Sequence, residues 1–184
     1  MVLPLVANGA ANGAENKNLE IGRMKITVMP EYDTKEVLVI QEGKFADLTA
    51  FPSEVTFGLP DKVTRLTDAC SLSPGGQHFC QIYDIKTGDN GKYVNLMLPY
   101  SDFFIDYKYA PFTAKENSKR EFTYDVNPFY DVRTLELHVQ KPWRAENFEV
   151  TIPGSNLKYE SEKYEKKGFE YAKYVFKNVK ADNV

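Results

Sequence analysis

Phe103-Phe-Ile-Asp-Tyr-Lys-Tyr109 places Phe103, Ile105, Tyr107 and Tyr109 at alternate positions, with Asp106 and Lys108 between them. Side chains of an extended chain point alternately to opposite faces, so this stretch predicts a strand with one buried and one wet face. The same period recurs in Met24-Lys-Ile-Thr-Val-Met29, which stops at Pro30, and in Val132-Arg-Thr-Leu-Glu-Leu-His-Val139, which stops at Lys141-Pro142. Proline has no N–H to give to a ladder, so it marks a strand end or a sheet edge.

Residues 35–41, 54–57, 121–126 and 148–152 are shorter runs of β-branched and aromatic residues, most of them closed by Gly or Pro, and are also expected as strands. Residues 78–85 and 92–98 flank Thr87-Gly-Asp-Asn-Gly91. Its Asn90-Gly91 pair accepts positive φ at little cost, so a hairpin is predicted there. Residues 158–180 fit two periods: Tyr164, Gly168, Ala172, Val175 and Val179 would line a helix, whereas Tyr, Val and Phe crowd positions 169–176. Gly168 would weaken a helix by about 1 kcal/mol relative to Ala, and the aromatic and β-branched residues suit a pleated surface, so a hairpin turning at Lys166-Lys-Gly168 is expected.

Some ten short runs, with hardly any long amphipathic helix among them, predict an all-β fold. The expected form is a two-sheet sandwich, jelly-roll or enlarged immunoglobulin-like, occupying residues 21–184 as one domain. Residues 1–20, rich in Ala, Gly and Asn and without periodicity, read as a flexible leader or the remnant of a signal peptide. Ala7-Asn8-Gly9 and Ala11-Asn12-Gly13 follow an apolar stretch with the small-x-small spacing of a cleavage site, although a basic n-region is missing. The last residues, 180–184, carry no capping or turn signal and are compatible with a cut ahead of an anchor.

The 184 residues are 42% hydrophobic and 14% aromatic, with 12 Tyr and 12 Phe, enough to build a sizeable core. With 23 basic against 26 acidic residues and a net charge of -3, the chain lacks the positive field that a phosphate backbone requires, so no nucleic-acid partner is expected. Lys163, Lys166 and Lys167 alternate with Glu160, Glu162 and Glu165 and largely neutralise themselves. No apolar run approaches the roughly 20 residues of a membrane span.

Cys70 and Cys80, the only cysteines, flank Ser71-Leu-Ser-Pro-Gly-Gly76, a loop able to fold back and bring them together. In an exported protein a disulfide is the expected outcome, and it points to an extracytoplasmic location, whether periplasmic, secreted or cell-surface. The competing reading is a soft-metal site of Cys70, His78 and Cys80, which is short of a fourth ligand. Asp125, Asn127 and Asp131 place oxygen donors around a tight turn, a weak calcium candidate without the Gly and Glu of an EF-hand loop. Asp102, Asp106, Asp125 and Asp131 lie near aromatic segments and would suit a carboxylate pair for glycoside hydrolysis. The chain has no nucleophile elbow, no His-Glu-x-x-His and no phosphate-cradling loop, so no cofactor and no catalysis are expected.

Aromatic residues carry the remaining functional signal. Tyr107, Tyr109, Tyr130 and Trp143, with Phe112 and Phe129, fall near strand ends or in connections, where rings with polar tips make contact surfaces. The expected function is a non-catalytic binding or interaction domain outside the cytoplasm, such as the ectodomain of a membrane-anchored or cell-surface protein, with a protein or glycan partner. A carbohydrate-binding module stacking sugars on Tyr107, Tyr109, Tyr130 and Trp143 is the first alternative, and a small glycoside hydrolase the second.

Overall fold

The computed structural model describes residues 19–88, 91–112, 120–126, 128–152 and 158–181. In it the alternation at 103–109 is a strand in which Phe103, Ile105, Tyr107 and Tyr109 are buried and the residues between them are not. Eleven strands are present among the described residues: β1 (Glu20–Pro30), β2 (Val37–Phe45), β3 (Ser53–Leu59), β4 (Leu66–Leu72), β5 (His78–Cys80), β6 (Ile85–Gly88), β7 (Gly91–Leu98), β8 (Asp102–Tyr109), β9 (Asp131–Gln140), β10 (Tyr159–Lys166) and β11 (Phe169–Val179). A single 3-10 turn, Leu48–Ala50, interrupts them.

The strands form two sheets, one of eight strands in the order β10-β11-β9-β1-β2-β8-β4-β5 and one of three in the order β3-β7-β6. β1 and β9 run parallel, while β1–β2, β2–β8 and β9–β11 are antiparallel. Register aligns Val28, Val39 and Tyr107 in one row of the large sheet and Ile26, Gln41 and Ile105 in the next. Val55, Phe57 and Leu59 of β3 and Val94, Leu96 and Leu98 of β7 join these residues in one contiguous buried cluster. Phe103 is the bridge between the sheets: its ring stands 4.8 Å from Phe57 and 5.7 Å from Phe45. Gly43 makes room for it, since a Cβ there would lie 2.6 Å from both the Phe103 ring and the Arg23 carbonyl.

Several sequence expectations need correction. Residues 78–85 are not one strand: β5 pairs with β4 in the large sheet, whereas β6 pairs with β7 in the small one. Cys80 is held opposite Cys70, and the Tyr83 hydroxyl donates to the Leu66 carbonyl at 2.9 Å while accepting from its N–H at 3.1 Å, which anchors the crossover between the sheets. The β6–β7 hairpin closes at Gly88 and Gly91, the latter at φ +96, and Asn90 lies outside the described residues. Residues 121–126 and 148–152 form no strand, although Phe122, Tyr124, Val126, Phe148, Val150 and Ile152 all pack against the core. Their alternation reports burial, and a ladder also needs a neighbour with free backbone groups.

Residues 66–72 were not anticipated as a strand. A register shift between Leu66 and Asp68 breaks the period, and the Asp68 N–H donates to the Asp106 carboxylate at 2.6 Å. The terminal hairpin is present, with Lys167 at φ 54 and Gly168 at φ 79, the paired positive values of a tight two-residue turn. Residues 1–18 of the leader lie outside the described residues, but Leu19 packs on the core and Glu20 pairs with Arg133 at 2.6 Å, so both belong to the fold. Among the described residues no helix is long and apolar enough to cross a membrane.

Candidate binding surface

β1 and β9 run parallel and β11 returns antiparallel to β9, so the end of β1, the end of β9 and the start of β11 coincide. The connections that leave this end carry three rings. Trp143 follows Pro142, and the Ala145 N–H closes a turn onto the Pro142 carbonyl at 3.0 Å, which turns the indole outward to 73% exposure. Phe169 opens β11, and its ring lies edge-on to Trp143 at 5.4 Å and 69°. Tyr32, in the β1–β2 connection and 48% exposed, tilts against Phe169 at 5.9 Å and 44°. Charges of both signs rim the strip: Lys141 pairs with Glu170 at 2.9 Å, and Arg120 pairs with Glu31.

Beneath the strip the outer face of β9, β10 and β11 holds a chain of polar contacts. Tyr171 stacks on Tyr164 at 5.1 Å and donates to the Gln140 side-chain carbonyl at 3.0 Å. The Tyr164 hydroxyl meets His138 Nδ1 at 2.6 Å, and His138 Nε2 meets Glu136 at 3.2 Å. Glu136 is paired in turn with Arg23 at 3.0 Å. Burial holds the His138 pKa below its usual value against the opposing pull of Glu136. Every polar tip here is already engaged, so the chain stiffens the ground under the exposed rings.

The four rings expected to form one platform do not come together at the surface: Tyr107 and Tyr109 are ring neighbours at 6.5 Å, but away from Trp143. Tyr107 and Tyr109 are interior. The Tyr107 hydroxyl accepts from Gln41 at 2.9 Å and contacts Tyr124 at 3.0 Å, and burial pushes its pKa well up. Tyr109 is buried with a hydroxyl that has no hydrogen-bond partner among the described residues, and burial followed by the neighbouring Tyr124 and Asp125 raises its pKa. Tyr130 is half-buried: its hydroxyl accepts the Thr56 N–H at 2.9 Å and its ring stands edge-on to Phe45 at 5.3 Å. Inward-facing positions of β8 and contacts with the small sheet account for these placements, and Trp143 alone of the four faces solvent broadly. Phe169 and Tyr32 were missed because Phe169 reaches Trp143 through the antiparallel β9–β11 pairing and Tyr32 reaches Phe169 through the parallel β1–β9 pairing, neither of which a local signal encodes.

Other candidates are dispersed. Asp131 is bonded to Lys180, which lowers its pKa, and it accepts the Ala181 N–H at 3.1 Å. Asp125 is exposed, and Asn127 lies outside the described residues. Asp102 pairs with Lys44 at 3.2 Å and Asp106 with the Asp68 backbone, both on the outer face of β8, where burial raises the Asp106 pKa. Cys70 and Cys80 are joined by a disulfide, directly opposite each other on β4 and β5. Among the described residues, the one cluster of three metal-ligating side chains is Cys70, His78 and Cys80.

No protein family matches the chain, and no curated protein does so either. Among solved structures that match is a protein from Parabacteroides distasonis, described as a "putative protease", with a TM-score of 0.44 and 12% identity over 90% of this chain and 36% of that one. The chain thus spans little more than a third of that protein's length. So loose a superposition carries no argument about activity.

Proposed function

We propose that this chain is a non-catalytic binding domain working outside the cytoplasm, and that it grips a protein partner at Trp143, Phe169 and Tyr32. The observation that carries the reading is the outward indole of Trp143, 73% exposed and braced edge-on by Phe169. Trp, Tyr and Arg dominate the energetic centres of protein interfaces, and a rim of mixed charge surrounds these rings. The rings are tilted by 69° and 44° instead of lying in one plane, which favours an uneven protein surface over a flat sugar ring. The disulfide supports an oxidising compartment. Within this reading the domain expected at residues 21–184 reaches back to Leu19 and acts as one unit, and the parallel β1–β9 pair favours an immunoglobulin-like arrangement over an antiparallel jelly-roll.

The test is a measured affinity. A partner captured from the exported fraction of the source cells, then purified, should bind Trp143→Ala at least about 30-fold more weakly than the parent, the loss expected of a hot spot worth ~2 kcal/mol. Ile82→Ala, at a fully exposed site in the crossover, should bind as the parent does. Equal binding by the two variants removes the strip from the interface. Glycan-array binding that is lost in Trp143→Ala would transfer the same surface to the carbohydrate reading.

A further inference from the structure

The β4–β5 hairpin lies at the edge of the large sheet remote from the aromatic strip, which sits by β9 and β11. Cys70 and Cys80 face each other across it with Cα atoms 3.9 Å apart. His78, two residues before Cys80, lies on the same face, and its ring stands edge-on to Phe104 at 5.3 Å. The two sulfurs and a His78 ring nitrogen lie within 4.8 Å of one another. Two ligands on one zinc ion stand about 3.5 Å apart, so the sulfurs, once freed, would turn apart about their side-chain bonds and the exposed His78 would turn in to join them.

We propose that reduction of the Cys70–Cys80 disulfide turns this hairpin into a binding site for one zinc-class divalent ion, held by the two thiolates and the His78 imidazole. A dithiol reductant supplies two electrons and two protons to the S–S bond and is itself oxidised to a disulfide. The incoming ion then displaces the two thiol protons, and neutral His78 adds the third ligand. Thiolate and imidazole suit zinc and softer ions and disfavour magnesium or calcium. Cys80 and His78 are exposed, so a fourth position stays open to water.

The ligands keep their places without the covalent link. β4 is held by β8 along Leu66–Leu72. The turn is closed by the Ser73 N–H to Gln77 at 2.9 Å, the Gly76 N–H to Ser73 at 2.8 Å, and the Gln77 N–H to the Ser73 hydroxyl at 3.1 Å. Gly76 sits at φ +80, a conformation glycine adopts without strain. On the far side of the disulfide the Gln81 N–H donates to Ala69 at 2.8 Å. The disulfide therefore gates the site, and the hairpin builds it.

The chain contains only 2 cysteines, so every thiolate signal reports this hairpin. The whole chain, reduced with a phosphine and freed of it under inert gas, is titrated with cobalt(II) as the coloured stand-in for zinc, and zinc is then added in competition. We expect one equivalent to bind with a thiolate-to-metal charge-transfer band in the near ultraviolet, zinc to bleach it, and the oxidised protein to show none. His78→Ala should weaken binding about ten-fold or more, and Cys80→Ser should abolish the band. The proposal is overturned if the reduced protein binds no stoichiometric ion, if His78→Ala binds as tightly as the parent, or if reduction alone removes the strand signal in circular dichroism.

Discussion

The two wings of the eight-stranded sheet are covered differently. Over β2, β8 and β4 the lid is a second sheet, and the facing side chains interdigitate: Phe57 meets Phe103, and Val55, Leu96 and Leu98 are fully buried. Over β9 and β11 the lid is coil, the 141–152 segment, which packs Phe148, Val150 and Ile152 on the core as half-buried residues. That segment and Leu135, Leu137, Val139 and Phe176 together line an open cleft of about 2800 Å³. The outermost strand of this wing, β10, is exposed along nearly its whole length, and its alternating Glu and Lys side chains keep a free edge from pairing with another chain. Burial and strand pairing are thus separable. The first wing has both, and the second has only partial burial on its lid, with its exposed rings at the end where the chain turns.

The largest break in this comparison should come from truncating one ring in each lid contact. Phe103→Ala removes a fully buried ring from between two sheets and should cost about 3–5 kcal/mol. Phe148→Ala, in the coil lid, should cost only about 1–2 kcal/mol, because the half-buried ring has less apolar area to lose. Urea unfolding of the two variants checks the contrast, and equal losses would mean that the coil lid is packed as tightly as the sheet.

A finer contrast lies between two tyrosines two residues apart on the same strand face. Tyr107 shares its hydroxyl with Gln41 and Tyr124, so Tyr107→Phe leaves buried partners short of a bond and should destabilise by about 1–2 kcal/mol. Tyr109 buries a hydroxyl that has no partner among the described residues, so Tyr109→Phe should be neutral or stabilising by up to ~1 kcal/mol. Denaturation midpoints that move the same way in both variants would show that the Tyr109 hydroxyl is satisfied in solution.

These contrasts also mark how much was legible in the sequence. Period-two stretches such as 24–29, 103–109 and 132–139 announce both a buried face and a strand, since their neighbours complete the ladder. The turn at Lys167 and Gly168 was legible because positive φ has a residue signature. Residues 121–126 and 148–152 show the same alternation yet join no strand ladder among the described residues, because a ladder depends on which edge the topology leaves free. β4 was hidden by its bulge, and the disulfide was readable from two lone cysteines flanking a short loop together with the expectation of export. At the candidate surface Trp143 was singled out from its local setting, but Tyr107 and Tyr109, which the alternation itself puts on the buried face with Phe103 and Ile105, were misplaced because their polar tips and nearness to a strand end were weighed above that period. Phe169 became a neighbour of Trp143 only through the antiparallel β9–β11 pairing, and Tyr32 joined them through a parallel pairing of segments more than a hundred residues apart.

The smallest effect expected concerns His138 on the outer face of the weaker wing. It faces Glu136 on its own strand, Tyr164 on β10, Lys173 on β11 and Lys25 on β1. Burial lowers its pKa below the usual 6.5, with Lys25 and Lys173 adding to the effect and Glu136 opposing it. The unfolded chain therefore binds a proton at His138 more readily than the folded one. Stability from this residue is whole above about pH 6.5 and falls as the pH drops towards the folded value. Carboxylate titrations dominate only at lower pH, so urea midpoints between pH 7.5 and 5.5 isolate the histidine, and His138→Gln should flatten the slope. The loss should be smaller than that of Phe148→Ala. A parent slope of opposite sign, with stability rising as the pH falls, would mean that the Glu136 carboxylate outweighs burial and that His138 is held as an imidazolium in the sheet.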